Sequence, residues 1–99
     1  MLYMMIGTIA PDSGARRQTA RPAHLARLTE LQNEGRLILA GPCPAVDSPD
    51  PGPAGYAASL IVAEFPCLAD AKAWAAADPY VDGGVYENVV VHPFQQVLP

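Results

Sequence analysis

Three apolar runs of strand length, two stretches with helical spacing and a proline-rich break between them predict an α+β fold in the order βαββαβ. The runs are LYMMI, SLIVA and VVV. A fourth, shorter run follows the first helical stretch. This order is the ferredoxin-like split βαβ arrangement, with two helices on one face of a four-stranded antiparallel sheet. Ninety-nine residues with 51% apolar content suit a single domain over 1–99 with a real core.

Each element has its own signal. Residues 2–9 read as the first strand, and Pro11 to Gly14 supply turn chemistry. From Pro22 the apolar spacing becomes helical and stops at Gly35, where a left-handed backbone suits glycine. A separate helical turn over 14–20, capped by Asp12 or Ser13, is expected, because Pro22 stands against one continuous helix. Residues 37–41 form the second strand. Residues 42–55 hold five prolines and two glycines and read as a long loop, long enough to act as a lid. Residues 57–65 make the third strand, 68–77 an alanine-rich second helix and 86–91 the fourth strand.

Composition excludes several functions. Six basic residues and a net charge of −4 leave too little positive charge for a nucleic-acid surface. No run approaches the ~18–20 apolar residues that span a bilayer. The opening MLYMMIG lacks the basic flank and cleavage pattern of a secretory signal, so a cytoplasmic location is expected. Cys43 and Cys67 are too far apart for a redox or zinc motif, and His24 and His92 are too distant to make a metal site. No glycine-rich fingerprint for a nucleotide or flavin is present, so no cofactor and no metal are expected.

The apolar runs predict an assembly. Helices cover one face of a two-layer sheet, and a solvated second face would show alternating polar residues. Three of the strands are apolar on both faces, so a second copy of the chain is expected to cover the open one in an isologous homodimer. A monomer with an exposed apolar face is the alternative.

Two polar residues interrupt the helical apolar faces. At about 100° per residue His24 shares an arc with Leu25, Leu28 and Leu31, while Arg27, Glu30 and Asn33 fall on the other side. Asp78 continues the face of Leu68, Ala71, Trp74 and Ala75. The topology brings the start of the first helix and the finish of the second to one edge. The end of the second strand, with Gly41 and Pro42, and the start of the third, with Ser59, arrive there too. His24 and Asp78 are thus the candidate catalytic residues, and Arg21, Ser59, Gly41, Pro42 and Tyr80 the candidate substrate-binding ones. An imidazole oriented by a carboxylate is the minimum equipment for acid–base chemistry. Plainer roles exist for each. His24 could be a hydrogen-bonded core histidine, and Asp78 could shape the turn at Pro79. Ser59 could be a packed small residue, Arg21 could neutralise Asp78, and Trp74 and Tyr80 could simply pack.

The sequence also resembles the YciI family of small bacterial proteins, nearly end to end. The resemblance rests on MLY at the start, ARPAHLARL at 20–28, EGRLILAGPCPAVDS at 34–48, DPGPAG at 50–55, SLIVAEF at 59–65, AWAAADPYV at 73–81, GVYENVVV at 84–91 and the closing PFQQVLP. It implies the dimeric α/β-barrel fold, a homodimer, and a site in which the family's His and Asp fall on His24 and Asp78, its Arg on Arg21 and its Ser on Ser59. The chain departs with Ala58, His92 and the pair Asp82-Gly83 where the family commonly has glycine, lysine and small apolar residues. One activity in the family is dehydrochlorination of a chlorinated hydroxyhydroquinone, which implies proton abstraction or elimination as a reaction class. The competing expectations are a small enzyme of that kind, acting on a small polar substrate, and a non-catalytic dimeric module that binds a small metabolite in the same pocket.

Overall fold

A computed structural model describes residues 1–99. The first strand, β1 (Leu2–Ile9), turns its alternate residues Tyr3 and Met5 into the core. A tight turn then leads into helix α1 (Gly14–Asn33). Strand β2 (Leu37–Pro44), a loop with a single 3₁₀ turn at Gly52–Ala54, and strand β3 (Tyr56–Glu64) follow. Helix α2 (Leu68–Ala76), the one-turn helix α3 (Pro79–Asp82) and strand β4 (Tyr86–Phe94) complete the chain. All pairings are antiparallel in the order β2-β3-β1-β4, and the helices pack on one face, as the βαββαβ reading requires.

The core lies between that face and the helices. Tyr3, Met5, Ile61, Ala63 and Phe65 rise from the sheet to meet Leu28 and Leu31 of α1 and Ala71 and Ala75 of α2. The alanines let α2 sit close on the strands. Gly35, at φ +72°, ends α1 in a Schellman turn, with Arg36 N–H donating to Leu31 O at 2.9 Å and Gly35 N–H to Gln32 O at 3.0 Å.

Several boundaries differ from the sequence reading, those of β3 and α2 by a single residue. Helix α1 runs unbroken through Pro22. Both Pro22 and Gln18, whose carbonyl loses its N–H partner, lie on the exposed side, so water can satisfy that group. Ser13 stands at the N-cap position, yet its hydroxyl donates to Ala10 O at 2.7 Å and caps nothing. β2 continues through Pro42 to Pro44, and β4 through Pro93 to Phe94. Both are edge strands, where a missing N–H interrupts no ladder on the outer side. A further difference is α3, which starts where the sequence reading offered only a turn at Pro79 as one role for Asp78.

Candidate functional site

The tripeptide Asp78-Pro79-Tyr80 builds one wall. Asp78 is the N-cap of α3, its Oδ1 accepting from Tyr80 N–H at 2.9 Å, and Pro79 occupies the first helical position, where a missing donor costs nothing. Asp78 therefore lies beyond α2 instead of continuing its face. The turn-shaping role and the site role fall on one residue, because the cap holds the carboxylate at 2% exposure against α1.

His24, 6% exposed, approaches from α1. Its Nδ1 lies 2.9 Å from Asp78 Oδ1 and 2.9 Å from Oδ2. An ionised carboxylate only accepts, so Nδ1 carries the proton and the Nε2 lone pair is left available. The Tyr80 ring stacks on the imidazole, centroids 3.9 Å apart and planes 7° from parallel. Carboxylate on one edge and ring on one face leave the imidazole little freedom to turn.

Arg27, which the helical arc placed on the far side, completes the surroundings of Asp78. Its Nη1 is 3.7 Å from Oδ2, an ion-pair distance too long for a hydrogen bond. Its Nη2 donates to Trp74 O at 2.7 Å, and its guanidinium lies 4.2 Å over the Trp74 ring. Arg27, and not Arg21, is the cation paired with Asp78. The long flexible stem lets an arginine whose Cα lies off the apolar arc reach around to it.

In front of His24 is a cavity of about 220 Å³. α1 lines it with Arg17, Arg21, His24, Leu25 and Leu28. The sheet adds Ala40, Gly41 and Pro42 from β2 and Ser59, Leu60 and Ile61 from β3, while Tyr80 closes the back. The structure thus brings Arg21, His24, Gly41, Pro42, Ser59 and Tyr80 to one hollow, with Asp78 behind the imidazole. A larger hollow of about 520 Å³ lies at the start of α1 against the 3₁₀ turn. It has no histidine, and Arg17 is the residue common to both.

Two residues of this region escaped the sequence reading. Arg17, Arg21 and His24 have the spacing i, i+4, i+7, which puts them on one stripe only if α1 is continuous. Splitting the helix at Pro22 hid Arg17. Tyr86, from β4, stands edge-on to both Tyr80 (centroids 5.2 Å) and His24 (6.3 Å). Its ring lies across Gly7, where a Cβ would come within 2.5 Å of it. A glycine inside an apolar strand marks such a close approach, and that was the available signal. Burial raises the Tyr86 hydroxyl to about 12, and the nearby Ser59 hydroxyl pulls the other way without meeting hydrogen-bond geometry. Burial also raises Tyr80, with Arg17 and then Arg21 opposing. Both phenols are therefore neutral donors at neutral pH.

Comparison with known proteins follows the same outline. The YCII-related domain matches residues 1–95. Protein YciI of Escherichia coli O6:H1 is 57% identical over 98 residues, covering 99% of this chain and 100% of its own length, and Protein YciI of Shigella flexneri matches equally. An uncharacterized protein of Haemophilus influenzae is 46% identical over the same span. Among solved structures, the 5-chloro-2-hydroxyhydroquinone dehydrochlorinase TftG from Burkholderia phenoliruptrix, in complex with 2,5-dihydroxybenzoquinone, superposes with a TM-score of 0.81 at 20% identity, over 96% of this chain and 94% of that one. An antibiotic biosynthesis monooxygenase superposes at 0.52 and 16% identity over 99% and 100%. These likenesses place the fold of this chain in the dimeric α/β-barrel class. With a domain match over nearly the whole chain and full-length relatives above half identity, the protein belongs to the YCII-related (YciI) family.

Proposed function

We propose that the chain is a small cofactor-independent enzyme in which His24 moves a proton and Asp78 orients it. The observation that carries this reading is the buried contact of His24 Nδ1 with both oxygens of Asp78 at 2.9 Å, which leaves Nε2 beside the cavity. A neutral imidazole so held is a base at Nε2, and Asp78 stabilises the cation that forms. The reaction class is proton abstraction from a small polar, phenolic or enolisable substrate. Nε2 takes the proton, and the C–H or O–H electron pair moves into the substrate. In an elimination that pair expels a leaving group from the neighbouring carbon. The fold neighbour TftG, named as a dehydrochlorinase, supports the class without fixing the substrate. Cavity size supports it too, since about 150 Å³ accommodates a benzene ring and this cavity has about 220 Å³.

The open sheet face carries the second part of the proposal, a homodimer. Met4, Ile6, Leu39, Leu60 and Val90 lie on the face opposite the helices, with Leu39 47% and Ile6 and Val90 each 36% exposed. A second copy packed there would bury an apolar patch that monomers rarely leave in water.

The test is a turnover screen with halogenated and unhalogenated phenols and enolisable acids, run beside His24→Ala and Asp78→Asn. Turnover that vanishes in His24→Ala supports the enzyme. Thermal stabilisation by a ligand with no turnover in any protein would instead support a non-catalytic metabolite-binding module.

A further inference from the structure

The chain has five arginines, and three of them donate to protein acceptors. Arg16 donates to Gly84 O, Arg27 to Trp74 O, and Arg36 to Glu64 O and the Glu34 carboxylate. The two that donate to none, Arg17 and Arg21, are the two that line the cavity in front of His24. Arg17 Nε is buried without an acceptor, and its guanidinium is held 4.5 Å over the Tyr56 ring. Tyr80 shares the cavity wall at 1% exposure, and its hydroxyl is likewise buried without an acceptor. No Asp or Glu lines this cavity. Within a protein of net charge −4, this hollow collects cations and hydroxyl donors, and the nearby carboxylate of Asp78 is taken up by His24, Arg27 and Tyr80 N–H.

Buried donors left unmade cost about 1–3 kcal/mol each, and more when charged, so such a cluster is stable in use only when something accepts from it. We propose that Arg17 and the Tyr80 hydroxyl, assisted by Arg21, are an oxyanion-binding site, so that the ligand of this pocket is a small molecule bearing an ionised oxygen: a phenolate, an enolate or a carboxylate. The proposal rests on the acid–base reading only for placing that oxygen beside His24. If His24 Nε2 removes a proton, the negative charge left on the substrate oxygen develops against a wall that carries Arg17, Arg21 and Tyr80, and positive charge and donors so placed lower a barrier. The raised Tyr80 hydroxyl stays protonated and keeps its donor role.

Calorimetric titration of the full chain with matched pairs tests it: 4-nitrophenolate against 4-nitroanisole, and benzoate against benzamide. Each anion should bind at least tenfold more tightly than its neutral partner. A preference for 4-nitrophenolate alone, or for benzoate alone, identifies which ionised oxygen the site takes. Arg17→Met and Tyr80→Phe, each confirmed folded by circular dichroism, should each weaken anion binding by about tenfold to a hundredfold, as for hydrogen bonds to a charged group. Neutral probes should be unaffected, and Arg17→Lys should recover part of the loss. Equal affinity for anion and neutral partner, anion affinity unchanged in both variants, or no binding of either anion at millimolar concentration would each overturn the proposal. His24→Ala separates the two readings. Anion binding that persists in His24→Ala, when the parent chain itself turns nothing over or His24→Ala turns over undiminished, sustains the oxyanion site while the acid–base role fails. Turnover that depends on His24 but ignores Arg17 and Tyr80 does the reverse.

Discussion

The two faces of the sheet are built from the same strands, residue by alternate residue, and are chemically unlike. The helix-covered face buries polar groups: Ser59 at 5%, with His24 at 6% and Asp78 at 2% pressed down on it from above. The open face presents a patch of Met4, Ile6, Leu60 and Val90, and its polar residues Thr8, Glu64, Asn88 and His92 flank that patch. A polar group buried without partners is costly, so the covered face needs specific geometry, whereas apolar packing is non-directional and needs only area. Chemistry is expected where geometry is enforced, and association where it is not.

The largest effects should break the covered face alone. His24→Ala and Asp78→Asn should each lower turnover of any substrate found by about 10²–10⁴-fold, the range of general acid–base catalysis. Asp78→Asn should leave the fold intact, since an amide oxygen can still accept from Tyr80 N–H. Steady-state kinetics beside circular dichroism checks both. A stability loss with ligand affinity unchanged would make the pair structural.

Next comes the open face. Ile6→Asp should abolish the proposed dimer while sparing the site, because Ile6 points away from His24 and a charge cannot be buried unpaired. Sedimentation should read a dimer for the parent chain and a monomer for the variant. A parent chain that sediments as a monomer at micromolar concentration removes the dimer.

Gly7→Ala acts on the covered face, beside the site. Its new Cβ would stand 2.5 Å from the Tyr86 ring, and overpacking of this kind costs about 1–3 kcal/mol. Thermal unfolding should show that loss, and binding in the neighbouring cavity should weaken with it.

The smallest effect is a titration. Tyr86, raised from 10.0 to about 12, favours the neutral phenol in the folded state. The stability this contributes is fully present below pH 10 and is lost as pH rises towards 12. Tyr80 shifts in the same direction. Absorbance of tyrosinate should therefore show late-ionising tyrosine that Tyr86→Phe and Tyr80→Phe each reduce.

Much of this was legible without coordinates, and the reason differs by residue. Gly35 ends α1 because glycine accepts a positive φ cheaply, a local fact that any fold would respect. The capping signal Asp78-Pro79 was equally local, though its meaning as a helix start was missed. His24 stood out as polar on an apolar arc, and the βαββαβ order was enough to bring it near Asp78. Arg17 and Arg27 were not legible in the same way. Arg17 joins the stripe of Arg21 and His24 only because the orphaned carbonyl opposite Pro22 faces solvent, and nothing in the neighbouring residues states that. The strands continue through Pro42 and Pro93, beyond the ends 41 and 91 that the sequence predicts, because edge position is a property of the whole sheet.

Periodicity, turn chemistry and element order are carried by residues within a few positions of one another, so the chain alone determined the fold class, the core faces and the convergence of His24 with Asp78. Which nitrogen meets the carboxylate, which arginine pairs with Asp78 and which two remain without an acceptor depend on side chains brought together across 54 and 47 intervening steps of chain. Those pairings are set by competition among all neighbours in the packed state, and only the tertiary structure decided them.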